Sequence, residues 1–332
     1  MKADPIPVLI LFGPTASGKT AILRKLFGNS LQAEIVSADS MQVYRGMDIG
    51  TAKPDAAERA DLPHHLIDIR DPSEQFNVGD FVRLADEACH EIAGRGKLPV
   101  VSGGTGFYLK NFIFGLSEAP PSDAEIRKQL KQELSEKGAV ALMEELAARD
   151  PVSAGRIHIY DEYRMLRAIE VYRCSGRPLS SFEANSPRTG GAKSGERDGS
   201  FRFIVIGLSR PREELYRRIN LRCEKMFRLG LPSEVQSLFE AGYTPDNPGL
   251  RAIGYREFFV EDAETPAGWR LSRDIDGVQA LVAQNSRRYA KRQITFFAGI
   301  PDVNWIEAGD DDTETAERIK NILTTENLKG AA

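Results

Sequence analysis

Cysteine is scarce in this chain: Cys89, Cys174 and Cys223 are the only three in 332 residues, and they lie far apart. They form neither a disulfide framework nor a zinc-ligand spacing, which points to a reducing compartment. No apolar run approaches the ~20 residues that cross a bilayer. MKADPIP, ahead of the first apolar run, is too polar for a signal peptide. The expectation is a cytoplasmic protein, and a monomer. Internal repeats are absent. Excess positive charge is also absent, because the net charge is −4. That average hides a polarity. Residues 202–228 hold eight Arg or Lys against three Glu, and 286–293 hold four basic residues and no acid. Local patches of this kind set the footprint on a polyanion.

Hydrophobic residues make up 41% and charged residues 28%, ordinary values for a globular protein with a sizeable core. Four apolar runs read as buried strands: Pro7–Phe12, Glu34–Ser37, Lys97–Val101 and Phe201–Leu208. Helical patterns separate them, which implies an α/β fold with a parallel sheet. Between the third and fourth runs the pattern is helical. It opens on Ser122-Asp123-Ala124-Glu125, a capping box with Ser122 as N-cap, and continues with breaks to about Cys174. Residues 186–200, rich in Gly, Ser and charge, look like a mobile connection. The division expected is a P-loop parallel-sheet core from 1–115 and 201–332, with an all-helical insert at 116–200. The C-terminal helices would pack on the core.

GPTASGKT, residues 13–20, follows the first strand and opens a helix. The spacing of Gly13, Gly18, Lys19 and Thr20 is that of a phosphate-binding P-loop, in the strand–loop–helix context it requires. Loop amides and the positive helix end bind phosphate oxygens, Lys19 neutralises charge, and the Thr20 hydroxyl can ligate Mg²⁺. Enzymes that transfer phosphoryl groups also place an acid at a strand end to hold Mg²⁺. The third strand, LPVVSGG, ends without one, and Asp39 after the second is the only well-placed carboxylate. This weakens a kinase or ATPase reading. Asp39, followed by Ser40, Met41 and Gln42, is either a helix N-cap or a general base beside the cradle. The loop from Tyr44 to Pro54 has the composition of one able to close over a ligand.

Gly103-Gly104-Thr105-Gly106 lets a backbone approach something closely, or is a plain turn, and Thr105 offers a hydroxyl. His64-His65 lacks further ligands at metal spacing and reads as structural. Arg287, Arg288, Lys291 and Arg292 pair at i, i+4 along a helix with Tyr289 interleaved. They suit contact with a phosphate backbone better than an ordinary solvated face. Arg251-Ala252-Ile253-Gly254-Tyr255-Arg256 combines cations, an aromatic and a glycine, as single-stranded RNA readers do.

Together, GPTASGKT, DSMQVYRGMDIGTAKP, PHHLIDI, GGTGFY, RAIEVY, the series Arg218, Arg222, Met226 and Gly230, RAIGYREF and RRYAKRQITFF resemble the tRNA dimethylallyltransferase (tRNA isopentenyltransferase) family. The likeness runs from about residue 7 to 297. It implies transfer of a dimethylallyl group from dimethylallyl diphosphate to N6 of adenosine 37 of tRNA, with Mg²⁺ as cofactor and diphosphate as leaving group. On that resemblance Asp39 would be the base, and Thr105 would hydrogen-bond the base edge. The diphosphate would be held by Gly13, Pro14, Thr15, Ala16, Ser17, Gly18, Lys19 and Thr20. Arg218 or Arg222 would assist. The tRNA anticodon stem-loop would meet Asp39, Ser40, Met41, Gln42 and Thr105. It would also meet Tyr163, Arg164, Met165, Leu166 and Arg167, the 251–256 segment, and Arg287, Arg288, Lys291 and Arg292.

The chain departs from the family pattern at Phe296, where members often carry Trp, and here only a packing change is expected. It lacks a C-terminal Cys/His zinc module and so resembles the bacterial members. Rival readings are a P-loop kinase or ATPase, an enzyme that prenylates free AMP, and a non-catalytic RNA-binding protein. Measurable ATP turnover would favour the first. The second has no need of the insert or the basic stripe. The third would survive inactivation of Lys19.

Overall fold

A computed structural model describes residues 4–28, 32–184, 196–197 and 199–326. Its elements in chain order begin with β1 (Ile6–Phe12), α1 (Lys19–Phe27), β2 (Ala33–Ser37), α2 (Ala56–Asp61), β3 (His64–His65), α3 (Val78–Gly94), β4 (Leu98–Gly103) and α4 (Gly106–Phe114). Then come α5 (Ala124–Arg149), α6 (Pro151–Ala154), α7 (Glu162–Ser175), α8 (Leu179–Ala184), β5 (Glu196–Arg197) and β6 (Phe201–Ser209). The remainder is α9 (Arg212–Arg228), α10 (Leu231–Glu240), β7 (Phe259–Glu261), β8 (Trp269–Leu271), α11 (Ile275–Phe297), β9 (Asn304–Glu307) and α12 (Asp312–Thr325). By contact the chain forms two compact units, residues 1–113 with 193–332, and residues 114–192. No described helix is long and apolar enough to cross a membrane.

The first unit is an α/β sheet in the order β3-β2-β4-β1-β6-β5, with β9 also on β6. Within this sheet all described pairings are parallel except the short β5–β6 contact, and β7 and β8 form a separate antiparallel pair. β1, β2 and β4 are buried almost throughout, as their unbroken apolar runs demand of strands covered on both faces. All four runs read from sequence are strands. β3, β7 and β8 are only two or three residues long, too short for alternation to show, and the short edge strand β9 exposes three of its four residues.

The sheet order places β4 between β1 and β2. The loops after all three therefore meet at the carboxyl edge, where such sheets bind ligands. On one side α1 and α12 share a core of Leu23, Leu26, Phe27, Ile319 and Leu323 with β9 and β6. α9, α10 and α11 share another core around Tyr255, Phe258 and Leu231.

The second unit is all-helical, with a core of Leu130, Leu142, Leu146, Met165 and Ile169. α5 is broken at Gly138, whose φ of 79° no helix accommodates. Its N-cap is Asp123, which accepts from the Glu125 and Ile126 amides at 2.9 Å, rather than the expected Ser122. Ser122 Oγ instead donates to Glu170 at 2.6 Å. A buried carboxylate recruits the hydroxyl, and the neighbouring Asp caps the helix. The expected mobile connection at 186–200 falls outside the described residues, except for 196–197 and 199–200.

Candidate active site

A cleft of about 670 Å³ opens at the carboxyl edge of the sheet. Its lining brings together Thr15 to Thr20, Asp39 and Gln42 after β2, Gly103 and Gly104 after β4, Arg218 and Arg222 of α9, and Tyr289 and Gln293 of α11. Gly18 caps α1 with φ 102°, a left-handed backbone that favours glycine. A side chain there would also crowd Arg210 and Asp312, within 3.4 Å.

The eight loop residues divide by role. Gly13 and Pro14 are buried, and their carbonyls accept from Lys19 Nζ at 2.9 and 3.0 Å. The Thr15 amide donates to Gln293 Oε1 at 2.8 Å, and the Ser17 amide to Pro14 O at 3.1 Å. That leaves Ala16, Gly18 and the first turn of α1, including Lys19 and Thr20, to offer amides to an anion. Gly13 and Pro14 hold Lys19 through their carbonyls and Thr15 lends its amide to Gln293, so all three shape the cradle.

Two arginines brace the loop through its carbonyls. Arg218 Nε donates to Ala16 O at 3.0 Å and Arg210 Nε to Ser17 O at 2.9 Å. Arg210 is missing from the residues read out of the sequence. Its signal was position, as the first residue past the carboxyl end of β6. Arg222 reaches Thr51 O only at a long 3.5 Å. Burial depresses its guanidinium, and Asp39 opposes that shift. The Lys19 ammonium lies in the same field. Burial first, then Arg222, lowers it to about 8, while Asp39 pulls it up. Asp39 thus stabilises the charge of both cations.

That setting predicts a pH dependence. An anionic ligand prefers charged Lys19 and raises its pKa, so the bound form keeps a proton that the free protein loses above pH 8. Diphosphate affinity should then weaken by up to about tenfold per pH unit above that point. Calorimetric titration should show this in the wild type and a shallower slope in Lys19→Arg, whose side chain does not titrate there. Equal slopes would place the proton elsewhere.

Asp39 is not a helix N-cap. Its Oδ1 accepts from the Met41 amide at 2.9 Å and closes a turn. The Thr105 hydroxyl accepts from the Ser40 amide at 3.0 Å, and the Thr105 amide donates to Ala38 O at 3.1 Å. The glycines beside Thr105 allow close internal packing. A Cβ on Gly103 would lie 2.1 Å from Ala38 O, and one on Gly104 2.5 Å from Gln293 Nε2. Gln42 accepts from Ser37 Oγ at 2.9 Å and so faces the cleft rather than solvent.

The Tyr44–Pro54 loop is no free lid. Glu234 of α10 accepts from the amides of Asp48, Ile49 and Gly50 at 3.0, 2.8 and 3.2 Å. Lys53 Nζ, almost fully buried, bonds Tyr44 O, Asp48 and Asp68. Tyr255 packs its ring on Gly50 and donates to Glu234 at 2.6 Å. The 251–256 segment is therefore largely internal. Ala252, Gly254 and Tyr255 are buried, Arg251 bonds Pro245 O and Asp246 O, and Arg256 lies 4.6 Å over the Trp269 ring. A buried tyrosine cannot stack on an RNA base, and only Arg251 of the segment is fully at the surface.

The second unit makes a similar correction. Met165 and Leu166 are core, and Arg167 pairs with buried Glu170. Tyr163 is 74% exposed, with Arg127 over its ring, and Arg164 is exposed beside it. His64 and His65 are structural, with His65 Nε2 2.7 Å from Glu34.

α11 has two faces. Arg288, Lys291 and Arg292 are exposed, while Arg287 is half-buried and donates to Asn220 at 2.5 Å. Tyr289 turns inward from the cationic stripe, with the Arg292 guanidinium 5.7 Å over its ring. It lines the cleft, where burial and Asp39 push its phenol up to about 12. Gln293, expected from sequence only as the end of the 287–293 segment that would hold RNA, is instead buried on this inner face. Its signal was a polar residue in register with Val278, Val282 and Phe297 on an amphipathic helix.

A glycine cradle on the central strand, two cations behind it and a carboxylate at the end of the second strand define a P-loop α/β protein. It is built to hold a phosphorylated group against an acceptor. The chain belongs to the IPP transferase family, whose model matches residues 42–299. It is 42% identical over 300 residues to the tRNA dimethylallyltransferase of Geobacter sulfurreducens, covering 90% of this chain and 91% of that one. It is 40% identical to that of Acetivibrio thermocellus, covering 96% and 97%. The solved full-length tRNA isopentenylpyrophosphate transferase of Bacillus halodurans is 35% identical with a TM-score of 0.62, covering 97% and 98%. A eukaryotic dimethylallyltransferase solved acting on tRNA matches at TM-score 0.76 and 24% identity, covering 98% and 80%, a likeness of fold.

Proposed function

We propose that this chain transfers a dimethylallyl group from its diphosphate to N6 of adenosine 37 in tRNA. The observation that carries this reading is the juxtaposition of Lys19, Arg222 and Asp39 in one cleft. Two cations can hold a departing diphosphate while a carboxylate takes a proton. The exocyclic amine of adenine is a poor nucleophile, because its lone pair is delocalised into the ring. As the N6–C1 bond forms and the C1–O bond breaks, an N6 proton passes to Asp39 and the electron pair leaves with diphosphate. Arg222, beside Lys19 and Asp39, is the arginine we assign to the leaving group, and Arg218 braces the loop. The adenine must leave its stack, at a cost of a few kcal/mol. Thr105, with its amide and hydroxyl fixed by Ala38 and Ser40, would present an oxygen to the base edge.

Mg²⁺ fits a sparse set of protein oxygens, because it keeps most of its ligands from phosphate and water. Thr20, exposed on the first turn of α1 and lining the cleft, would offer its hydroxyl oxygen to the ion. When bound, the ion would neutralise charge on the leaving diphosphate.

Contact with tRNA rests on Arg288, Lys291 and Arg292 of α11 and on Tyr163 and Arg164 of the helical unit. Replacing Arg288 and Arg292 with Gln should weaken tRNA binding and reduce the slope of log affinity against log salt by about 2. An unchanged slope in filter-binding titrations would return the stripe to ordinary surface charge.

The reading as a whole is tested by transfer of labelled dimethylallyl from its diphosphate to unmodified tRNA with Mg²⁺, with AMP and ATP as parallel acceptor and substrate. Label on tRNA alone supports it. Label on AMP, or phosphate release from ATP without transfer, would replace it.

A further inference from the structure

Gln293 bridges the loops that follow the neighbouring strands β1 and β4. Its Oε1 accepts the Thr15 amide at 2.8 Å and its Nε2 donates to Gly104 O at 2.8 Å. The residue is 5% exposed, and its bond to Gly104 O is fully buried. Thr15 belongs to the diphosphate loop. Gly104 precedes Thr105, whose hydroxyl holds the Ser40 amide next to Asp39. Beyond the end of the β1–β4 ladder at Phe12 and Gly103, this one amide ties the loop that holds the donor directly to the turn that receives the base. A Cβ on Gly104 would meet Nε2 at 2.5 Å, so a glycine there leaves the room this side chain occupies. The opposite face of the same helix carries exposed Arg288 and Lys291, and exposed Arg292 lies between the two faces with its guanidinium over Tyr289.

We propose that Gln293 is a positioning residue through which RNA docking on the outer face of α11 tightens the diphosphate loop on its inner face. Binding of tRNA and of the donor would thus favour one another. The inference rests on the tRNA-prenylating reading above. Its physical basis is that a rigid helix held from outside by phosphate contacts has less freedom to carry its inner amide away from Thr15. Linkage makes the effect reciprocal, so diphosphate must tighten tRNA by the same factor.

The test compares full-length wild type with Gln293→Met, which keeps the side-chain length and removes both hydrogen bonds. Calorimetry gives the Kd of inorganic diphosphate with and without saturating unmodified tRNA. The wild type should bind diphosphate at least about fivefold more tightly with tRNA present, the lower end of ordinary coupling. In Gln293→Met that ratio should fall to about one, with tRNA affinity alone changed less than about twofold. A merely structural role would lower thermal stability but leave the ratio in place. A ratio near one in the wild type overturns the proposal, as does an undiminished ratio in the variant. Should Gln293→Met fail to fold, hydrogen exchange of the 13–18 segment in the wild type decides. Slower exchange on adding an anticodon stem-loop RNA supports the coupling, and unchanged exchange overturns it. A wild type that binds no tRNA removes the parent reading together with this one, whereas binding without coupling removes this one alone.

Discussion

Asp39→Asn is expected to lower single-turnover prenyl transfer by about 10²–10⁴-fold while leaving tRNA affinity intact, the range for loss of a positioned general base. The substitution is chosen for what it keeps. An asparagine oxygen can still accept the Met41 amide that Asp39 Oδ1 now accepts at 2.9 Å, so the turn after β2 stays closed. What is lost is the basic oxygen and the negative charge. The charge has a second effect, because Asp39 supports protonation of Lys19, which already lies near 8. The Lys19 amine of the variant should titrate lower still, so rates are best compared near pH 6.5–7 at saturating donor (roughly one unit or more below that value). A variant that turns over at the wild-type rate would remove Asp39 from the proton path and leave its role to the local field.

Glu170→Ala should destabilise the helical unit by about 3–5 kcal/mol, the cost of stripping one partner from a buried charge cluster. Glu170 is fully buried. One oxygen accepts Ser122 Oγ at 2.6 Å and the Asp123 amide at 2.9 Å, and the other accepts Arg127 at 2.8 Å and Arg167 at 2.9 Å. Burial alone would raise its pKa. The hydrogen bonds from Ser122 and Arg167 and the charge of Arg127 outweigh burial and hold the carboxyl below its ordinary value. Its stabilising contribution is therefore complete above the unfolded value of 4.5 and is lost as pH falls through the lower folded value. Limited proteolysis under increasing urea should show residues 114–192 cut earlier in the variant, with the sheet unit unchanged. Glu170→Gln, which can keep the Ser122 and Asp123 contacts, should lose less. Coincident melting of wild type and Glu170→Ala would show that the two arginines find other partners at no cost.

The two predictions sit at opposite ends of what the sequence disclosed. The phosphate loop, Asp39 and the four long strands were legible because each is a local pattern: a fixed spacing of glycines, or a run of apolar residues ended by a turn. The residues that hold those patterns in place were not. Glu234 meets Asp48 across 186 positions, Gln293 meets Thr15 across 278, and Arg210 meets Ser17 across 193. Single-chain periodicity carries no information on which distant loop a polar side chain will face.

The same limit explains the misassigned contacts. RAIGYR and YRMLR each contain an RNA-like mixture of cations and aromatics, but burial decides which members can act. Tyr255, Met165 and Leu166 went to cores, and Arg167 to Glu170. Composition names the candidates for a surface, and only the fold shows which of them lie on it.

The last elements of the chain pack against the first. α12 and β9 supply Ile306, Ala316, Ile319 and Leu323 to the cluster that contains Leu23, Leu26 and Phe27 of α1, and Asp312 reaches within 3.6 Å of Arg210, which braces the phosphate loop. Synthesis proceeds from the other end. α1 can pack early on Leu9, Leu11 and Ile35 of the neighbouring strands, but loop closure over nearly the whole chain must precede completion of its burial under α12. The helices of 114–192, in contact mostly with near neighbours, face no such delay. A chain released early would carry a formed helical unit beside a phosphate loop that lacks its support, so the binding site is among the last parts of the molecule to mature.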